Sequence, residues 1–166
     1  MRSSHQANTM PQSHHIQLIT QLNDLDLRPM LRESQAEGFR FVAKLCDAYA
    51  QGRNRFDRPG ECLLGAFDAT GQLLAIAGLN QDPYQQQRHI GRLRHFYVLA
   101  PHRRQGLGST LLTALVTAAR PHFTTLTLRT PGTAASARFY ERHGFIAVAA
   151  KHHSHQLTLH PNGEAT

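Results

Sequence analysis

Residues 98–119, VLAPHRRQGLGSTLLTALVTAA, form the most informative stretch of the chain. The stretch begins with an apolar strand end, continues through a turn that holds two arginines and two glycines, and ends in an apolar run. Leucine and alanine recur at helical spacing in that run, which predicts a helix over residues 106–119. Pro121 prevents its continuation. We therefore expect a strand, a basic glycine turn and a helix in succession.

The turn has the features of an anion-binding site. Gly106 and Gly108 let the backbone approach a ligand closely, and the free N–H groups at a helix N-terminus point toward an anion. Arg103 and Arg104 add positive charge. Neither a Walker loop nor a Gly-x-Gly-x-x-Gly motif is present. The pattern predicts a pyrophosphate cradle, and a basic turn with a purely structural role is the alternative.

Strand and helix signals alternate on both sides of this stretch. A short strand is predicted at residues 16–19, and two helices follow, of which the clearer covers residues 37–51. A strand is predicted at residues 89–99, directly before the glycine turn. Five further strands are predicted at 62–67, 73–79, 123–129, 145–149 and 155–159. One more helix is predicted from the N-cap Thr133 to 142. This order is typical of an α/β or α+β fold in which helices pack on a mixed sheet.

Length and composition favour one domain. The chain has 166 residues, and we predict a flexible N-terminal tail at 1–15, a single domain at 16–160 and a C-terminal tail at 161–166. The net charge of +7 suits anionic partners. No apolar run approaches the roughly 18 residues of a membrane span, which excludes an integral membrane protein of that kind. The two cysteines form no disulfide framework, so a cytoplasmic location is predicted.

A second motif, FYERHGF, lies at residues 139–145. Residues 98–108 and 139–145 together resemble motifs A and B of the GNAT superfamily of acetyltransferases, in the same order and at similar spacing. The resemblance covers about residues 16–159. It implies a GNAT-type acyl-CoA N-acyltransferase fold with a mixed, mostly antiparallel sheet flanked by helices. It also implies acetyl-CoA as a co-substrate.

The resemblance implies a role for each part of the cofactor site. The backbone of Phe96, Tyr97 and Val98 corresponds to the strand that holds the pantetheine, and the Val98 N–H corresponds to the oxyanion donor. The pyrophosphate would contact the loop and the start of the helix, namely Arg103, Arg104, Gln105, Gly106, Leu107, Gly108 and Ser109. Thr133 replaces an asparagine that often contacts the cofactor.

Two catalytic roles are predicted. Tyr140 corresponds to the family tyrosine that often protonates the departing thiolate; the alternative is a core tyrosine whose hydroxyl has a partner. The strand before the loop contains no carboxylate where many relatives carry a glutamate, which is near Arg92 here. His95 is therefore the candidate general base. A water chain, with His95 a surface residue of the sheet, is the alternative.

The acceptor side of the site is predicted less directly. Arg92 and Arg94 share one strand face, so they are candidates for binding a carboxylate or phosphate of the substrate; a solvated edge face is the alternative. Family geometry places the early helices and the last loop beside the acceptor. The further candidates for specificity are Glu37, Glu33, Asn54, Arg55, Asp57 and Glu61.

Three histidines near the C-terminus raise the question of a metal. His152, His153 and His155 lie in the last loop and strand, where a zinc site and solvated or acceptor-facing histidines are the alternatives. Because neither a cysteine nor a carboxylate lies close in sequence, we predict no metal.

The sequence thus predicts an acetyl-CoA-dependent N-acetyltransferase. Acetyl transfer to a primary amine of a small molecule or a protein would be direct, because neither cysteine lies in a motif. A non-catalytic acyl-CoA sensor and a basic nucleic-acid-binding protein are the alternatives, although few aromatic residues accompany the basic ones. A homodimer is a further option, because dimerisation is common in the family.

Overall fold

The computed structural model describes residues 13–160. Strand β1 (His14–Leu18) begins inside the segment that was predicted as a tail, because His14 and His15 already pair with the next strand. Residues 1–12 and 161–166, the rest of the two predicted tails, lie outside the described part. The ordered strand therefore starts two positions before the predicted domain boundary at 16.

The elements follow the predicted order. The helices are α1 (Arg28–Ala36), α2 (Phe41–Ala50), α3 (Leu107–Ala119) and α4 (Ala134–Arg142), and the remaining strands are β2 (Cys62–Asp68), β3 (Leu73–Gln81), β4 (Ile90–Val98), β5 (Thr125–Leu128), β6 (Ile146–Ala147) and β7 (His155–Thr158). The largest difference in a boundary lies at the start of α2, which was predicted at 37 and is found at Phe41. Glu37 ends α1 rather than starting α2, because Gly38 adopts the left-handed conformation (φ +83°) that terminates a helix.

The seven strands form one mixed sheet in the order β1-β2-β3-β4-β5-β7-β6. Every neighbouring pair is antiparallel except β4 and β5, which are parallel. The mixed, mostly antiparallel sheet that the sequence predicted is confirmed. Strand β4 lies at its centre, with β3 on one side and β5 on the other.

Each face of the sheet carries its own hydrophobic core. The apolar stripe of α3 buries Leu111, Leu112 and Leu115 completely against one face, and the aromatic side chains of the second motif join this core. Helices α1 and α2 cover the other face, where Val42 and Leu45 are buried. Both faces of the central strands are therefore apolar, which explains why β3 is buried along almost its whole length.

A bulge in β4 changes which side chains face each core. The register with β3 shifts between Ile76 and Gly78, and His95 adopts a positive φ of 58° at this point. Before the bulge Leu93 belongs to the α3 core. After it Phe96 packs against that core, and the next residue, Tyr97, belongs to the opposite one.

Strands β4 and β5 pair only near their starts. The ladder joins Ile90–Arg92 to Thr125–Thr127 and ends there, while β4 continues to Val98. The later part of β4 thus has an edge that faces away from β3 with no strand beside it. This divergence opens the sheet at its centre.

Candidate active site

A cleft of about 1410 Å³ follows β4 across this opening. We call one end the loop end; it is lined by Phe96–Val98, Tyr140 and the turn residues Arg103, Arg104, Gly106, Gly108 and Ser109. The other, the arginine end, is lined by Arg92, Arg94, Arg129 and Asn54. His95, Glu37 and Thr133 also border the cleft. Of the residues predicted for the cofactor site, Gln105 and Leu107 do not line it, and neither do the specificity candidates Glu33, Arg55, Asp57 and Glu61.

Backbone N–H groups dominate the loop end. Gly106 caps α3 with φ +81°, and Thr110 is the first residue whose N–H bonds back, to the Gly106 carbonyl at 3.0 Å. The N–H groups of residues 107–109 therefore have no partner within the helix. The Leu107 side chain is buried in the core and Gln105 donates to the Pro101 carbonyl, so these two residues offer the cleft no free side chain. The loop end has the geometry of an anion site.

The unpaired edge of β4 contributes a further donor. The Leu99 N–H donates to the Leu74 carbonyl on β3 at 2.9 Å. Since the N–H groups of successive strand residues point to opposite sides, the Val98 N–H is directed toward the opening between β4 and β5. It lies where a carbonyl oxygen entering the cleft would meet it.

Arg103 does not have the predicted free guanidinium. Its Nε donates to the Val98 carbonyl at 2.8 Å, and its two terminal nitrogens donate to the Glu37 carboxylate at 2.9 and 2.7 Å. Its charge is therefore already paired, and Arg103 fastens the loop. Arg104, exposed beside the cleft, remains available for an anionic ligand.

Glu37 is likewise engaged within the protein. The Arg103 guanidinium, together with the Tyr97 hydroxyl, lowers the pKa of Glu37 to about 2. Tyr97 also donates to Glu33 at 2.9 Å, and the Ala100 N–H donates to the same Glu33 oxygen at 2.7 Å. The predicted role of Glu37 in binding substrate does not fit these contacts. The two glutamates instead tie the end of α1 to the loop.

Tyr140 lies in an aromatic cluster at the loop end. Its ring centroid is 6.0 Å from that of Phe96, 5.1 Å from Phe139 and 5.7 Å from Phe145. Burial raises the pKa of the phenol above its ordinary value. In residues 13–160 no group bonds the hydroxyl, so the alternative of a core tyrosine with a satisfied hydroxyl is not supported. A protonated phenol thus borders the cleft at neutral pH.

Thr133 caps helix α4, as its position in the sequence predicted. Its hydroxyl accepts from the Ser136 N–H at 3.2 Å. The hydroxyl that would replace the family asparagine is therefore also needed for the local fold. Thr133 still borders the cleft.

His95 has a poor environment for a strong base. Its Nδ1 donates to the Phe41 carbonyl at 3.1 Å, which assigns the proton to Nδ1, and Phe56 packs edge-on against the ring at 6.1 Å. Burial, with a smaller contribution from the Arg94 charge, lowers the pKa of His95 to about 4. A base this weak is a poor acceptor for the proton of an alkylammonium group, whose pKa is near 10.

Arg92 is buried in the centre of the sheet, so the alternative of a solvated edge face is wrong for this residue. Its side chain is 9% exposed, donates from Nη2 to the His152 carbonyl at 2.7 Å and lies 4.8 Å from the centre of the Tyr84 ring. The Asp82 carboxylate is 3.9 Å from Nη1. Arg94, two positions along, is only partly buried.

Several residues near the arginine end were not predicted from the sequence. Asp82 was not among the candidate residues, yet its carboxylate is buried and accepts from the Thr127 hydroxyl at 2.6 Å. Tyr84 and Arg129 were also missed. No local pattern marks such contacts, because the partners are tens of residues apart. Two of the specificity candidates do meet a common partner: Asn80 bonds both Asn54 and Glu61.

Two of the three C-terminal histidines contact separate partners. His155 bonds Glu141 through Nε2 at 3.1 Å, and the His152 ring stacks on Tyr84 at 4.2 Å. Over residues 13–160 there is no group of three or more His, Cys, Asp or Glu residues that could hold a metal ion. Over the same residues, the helices are too short or too polar to cross a membrane.

Comparison with known proteins gives consistent matches. The profile of the acetyltransferase (GNAT) family matches residues 27–145. A solved structure from Exiguobacterium sp. 255-15, provisionally described as an acetyltransferase, is 27% identical with a TM-score of 0.79, over 88% of this chain and 93% of that one. An acetyltransferase of the GNAT family from Staphylococcus aureus Mu50 is 14% identical, with a TM-score of 0.69 over 89% of this chain and 100% of that one, which indicates similarity of fold. No curated protein matches the sequence.

Proposed function

The chain belongs to the acetyltransferase (GNAT) family and is an acyltransferase, and we propose that it moves the acetyl group of acetyl-CoA directly to a primary amine. The observation that carries this proposal is the loop end of the cleft. Free N–H groups at the start of α3, an unpaired edge of β4 and the Tyr140 phenol border one continuous space there.

The residues present fit a pyrophosphate linked to a pantetheine arm. The N–H groups of residues 107–109 and the positive end of the α3 dipole favour phosphate oxygens, with Arg104 as the nearby cation. The edge of β4 at Phe96–Val98 offers backbone groups to the amides of an extended arm.

The proposed reaction has two bond changes and three proton transfers. The neutral amine attacks the thioester carbonyl, and the developing oxyanion accepts a hydrogen bond from the Val98 N–H. The carbon–sulfur bond then breaks, and Tyr140 donates its proton to the thiolate. The amine nitrogen gives its surplus proton to water, and solvent returns a proton to Tyr140. The products are an amide and free CoA.

The surplus amine proton is assigned to water rather than to His95. A neutral imidazole with a pKa of about 4 and its proton fixed on Nδ1 leaves only the weakly basic Nε2. Such a group can orient a water by accepting its hydrogen bond. It does not need to change its own protonation state during turnover.

The first test measures ligand binding and turnover separately. In thermal unfolding, acetyl-CoA at about 100 times its Kd should raise the free energy of unfolding by roughly 2.7 kcal/mol. CoA release is then followed with a panel of primary amines. Stabilisation together with amine-dependent release supports the proposal. Stabilisation without release from any amine would identify an acyl-CoA-binding protein that performs no transfer, and no stabilisation would reject the cofactor site.

A further inference from the structure

The arginine end of the cleft has an excess of positive charge. Arg92, Arg94 and Arg129 line it, and the nearest buried carboxylate is that of Asp82. Glu37, further along the cleft, is already neutralised by Arg103. The arginine end therefore offers positive charge to whatever enters it.

Each oxygen of the Asp82 carboxylate already accepts a hydrogen bond from another donor. One of its oxygens accepts from the Thr127 hydroxyl at 2.6 Å and the other from the Tyr84 N–H at 2.8 Å. Its distance of 3.9 Å from Arg92 Nη1 is too long for a hydrogen bond. Asp82 thus compensates the charge of Arg92 partially and leaves its Nη1 donors without an acceptor.

Arg92 Nη1 is the one buried side-chain nitrogen or oxygen in residues 13–160 that has no hydrogen-bond partner. Leaving a donor on a charged group unsatisfied in the interior is unfavourable, because the group has lost its hydrogen bonds to water without gaining an acceptor. The rest of the side chain is fixed by the His152 carbonyl and the Tyr84 ring. The guanidinium is therefore held in one orientation at the wall of the cleft, with an Nη1 that is closed to solvent and has no acceptor.

The neighbouring arginines further favour binding of an anion. Arg94 and Arg129 line the same cleft as Arg92. Burial lowers the pKa of Arg92, the Asp82 charge opposes this effect, and the charges of Arg94 and Arg129 lower the pKa by smaller amounts. A carboxylate or phosphate among the three groups would relieve this repulsion and accept from Nη1. Bound water would satisfy the donor but would not neutralise the charge.

The same residues limit the size of the ligand. Tyr84 precedes β4, His152 precedes β7, and their rings stack 4.2 Å apart at an angle of 7°. This stack joins two loops and covers the buried guanidinium. Because the Arg92 side chain is only 9% exposed, a small anionic group reaches it more readily than a segment of folded protein does.

We propose that the acceptor is a small primary amine that carries a carboxylate or phosphate group, and that Arg92, flanked by Arg94 and Arg129, binds this anionic group. The proposal rests on the acetyl transfer proposed above. It adds a substrate class and a subsite in which Arg92 orients the amine toward the loop end. Arg92 is a specificity residue and takes no part in the bond changes.

The test compares amines that differ only in charge. The pairs are glycine with glycinamide, β-alanine with its amide, and phosphoethanolamine with ethanolamine, each measured as CoA release by the wild-type protein. We expect at least a tenfold higher kcat/KM for the anionic member of one or more pairs, the size of one charge-assisted hydrogen bond. The first two pairs report a carboxylate and the third a phosphate.

Variants then locate the effect. Arg92→Gln should raise the KM of the preferred anionic amine about tenfold or more, leave kcat within a few fold and leave the neutral partner unchanged. Arg92→Lys should recover part of the loss. If Arg92→Gln does not fold, Arg94→Gln, at a more exposed position, should raise the same KM with acetyl-CoA binding unaltered.

The outcomes separate this inference from the proposed function. Equal turnover of anionic and neutral amines would overturn the inference and leave the acetyl transfer intact. Acetylation of protein lysines with none of the small anionic amines used would also overturn it. If acetyl-CoA is bound and no acceptor of any charge releases CoA, the acetyl transfer itself fails.

Discussion

The two ends of the cleft are built in different ways. The loop end consists of backbone groups from neighbouring stretches of chain, the end of β4 and the start of α3, with one phenol from α4. The arginine end consists of side chains from separate places in the chain, namely Asn54, Arg92 and Arg94 on β4, and Arg129. Asp82 and the His152 carbonyl lie beside Arg92.

This difference explains what each end can recognise. Backbone N–H groups at a helix start bind any suitably placed phosphate, so a common cofactor suits the loop end. Buried charged side chains bind selectively, because each needs a partner of the right charge and geometry. We therefore expect variation among related proteins to fall at the arginine end.

The largest effect on activity is expected at the loop end. Tyr140→Phe removes the proton donor while the ring contacts with Phe96 and Phe139 remain. The kcat should fall by roughly 10²–10⁴-fold, the usual contribution of a general acid. Acetyl-CoA affinity should change little, as measured by calorimetry.

The matched control is Tyr49→Phe. Tyr49 is a buried tyrosine on α2 whose hydroxyl donates to the Thr20 carbonyl away from the cleft. The Tyr49→Phe variant should lose some stability and keep the wild-type kcat. Equal loss of activity in both variants, or none in Tyr140→Phe, would remove Tyr140 from the mechanism.

The same difference determined what the sequence could predict. The loop end was predictable because its glycines, arginines and helix start are contiguous, and the order of strands and helices was confirmed. The partners of individual side chains could not be predicted. Arg103 was expected to bind phosphate, but it pairs with Glu37, and Asp82 joins Thr127 across 45 residues of chain. Such pairings depend on how strands align, which local patterns do not encode.

His95 provides a pH test of the bulge between the two ends. Its pKa falls from 6.5 in the unfolded chain to about 4 in the folded protein. The unfolded state therefore binds more protons between these values, so stability should decrease as pH falls from 6.5 toward 4, by on the order of 2 kcal/mol. His95→Asn, which tolerates the positive φ, should lose this pH dependence in urea unfolding.

Exposed His14 on β1 supplies the control for this measurement. His14→Asn should retain the wild-type slope of stability against pH between 6.5 and 4. An unchanged slope in His95→Asn would show that His95 titrates normally, and the base role for this residue would then regain support.

The glutamate contacts of the loop end should have a smaller effect on stability. Glu37→Gln removes the charge that pairs with Arg103, and we expect a loss of about 1–2 kcal/mol at neutral pH, reduced by partial exposure of the pair. The pKa of Glu37 is lowered from 4.5 to about 2. The advantage of the wild type is therefore present above pH 4.5 and lost as pH falls toward 2.

The comparison variant is Asp26→Asn. Asp26 pairs with Arg28 on the surface at 2.8 Å, and the two side chains are 55% and 81% exposed. Its removal should leave stability unchanged in the same urea series. A similar loss in both variants would mean that Glu37 contributes only as an ordinary surface charge.

The smallest effect should come from a methyl group at the turn, and it separates strain from function. Gly106 and Gly71 both have positive φ, 81° and 86°, and in both a Cβ would meet no atom within 4 Å. Alanine at either position should therefore cost about the same, roughly 1 kcal/mol of backbone strain. Only Gly106 begins α3, where a small rotation redirects the free N–H groups.

The two alanine variants should therefore differ in cofactor binding. Gly106→Ala should weaken acetyl-CoA binding about tenfold in calorimetry, whereas Gly71→Ala, in the β2–β3 hairpin, should bind as the wild type does. Equal affinities at equal stability would mean that the helix start does not hold the pyrophosphate, and the cofactor would have to depend on Arg104 and the edge of β4.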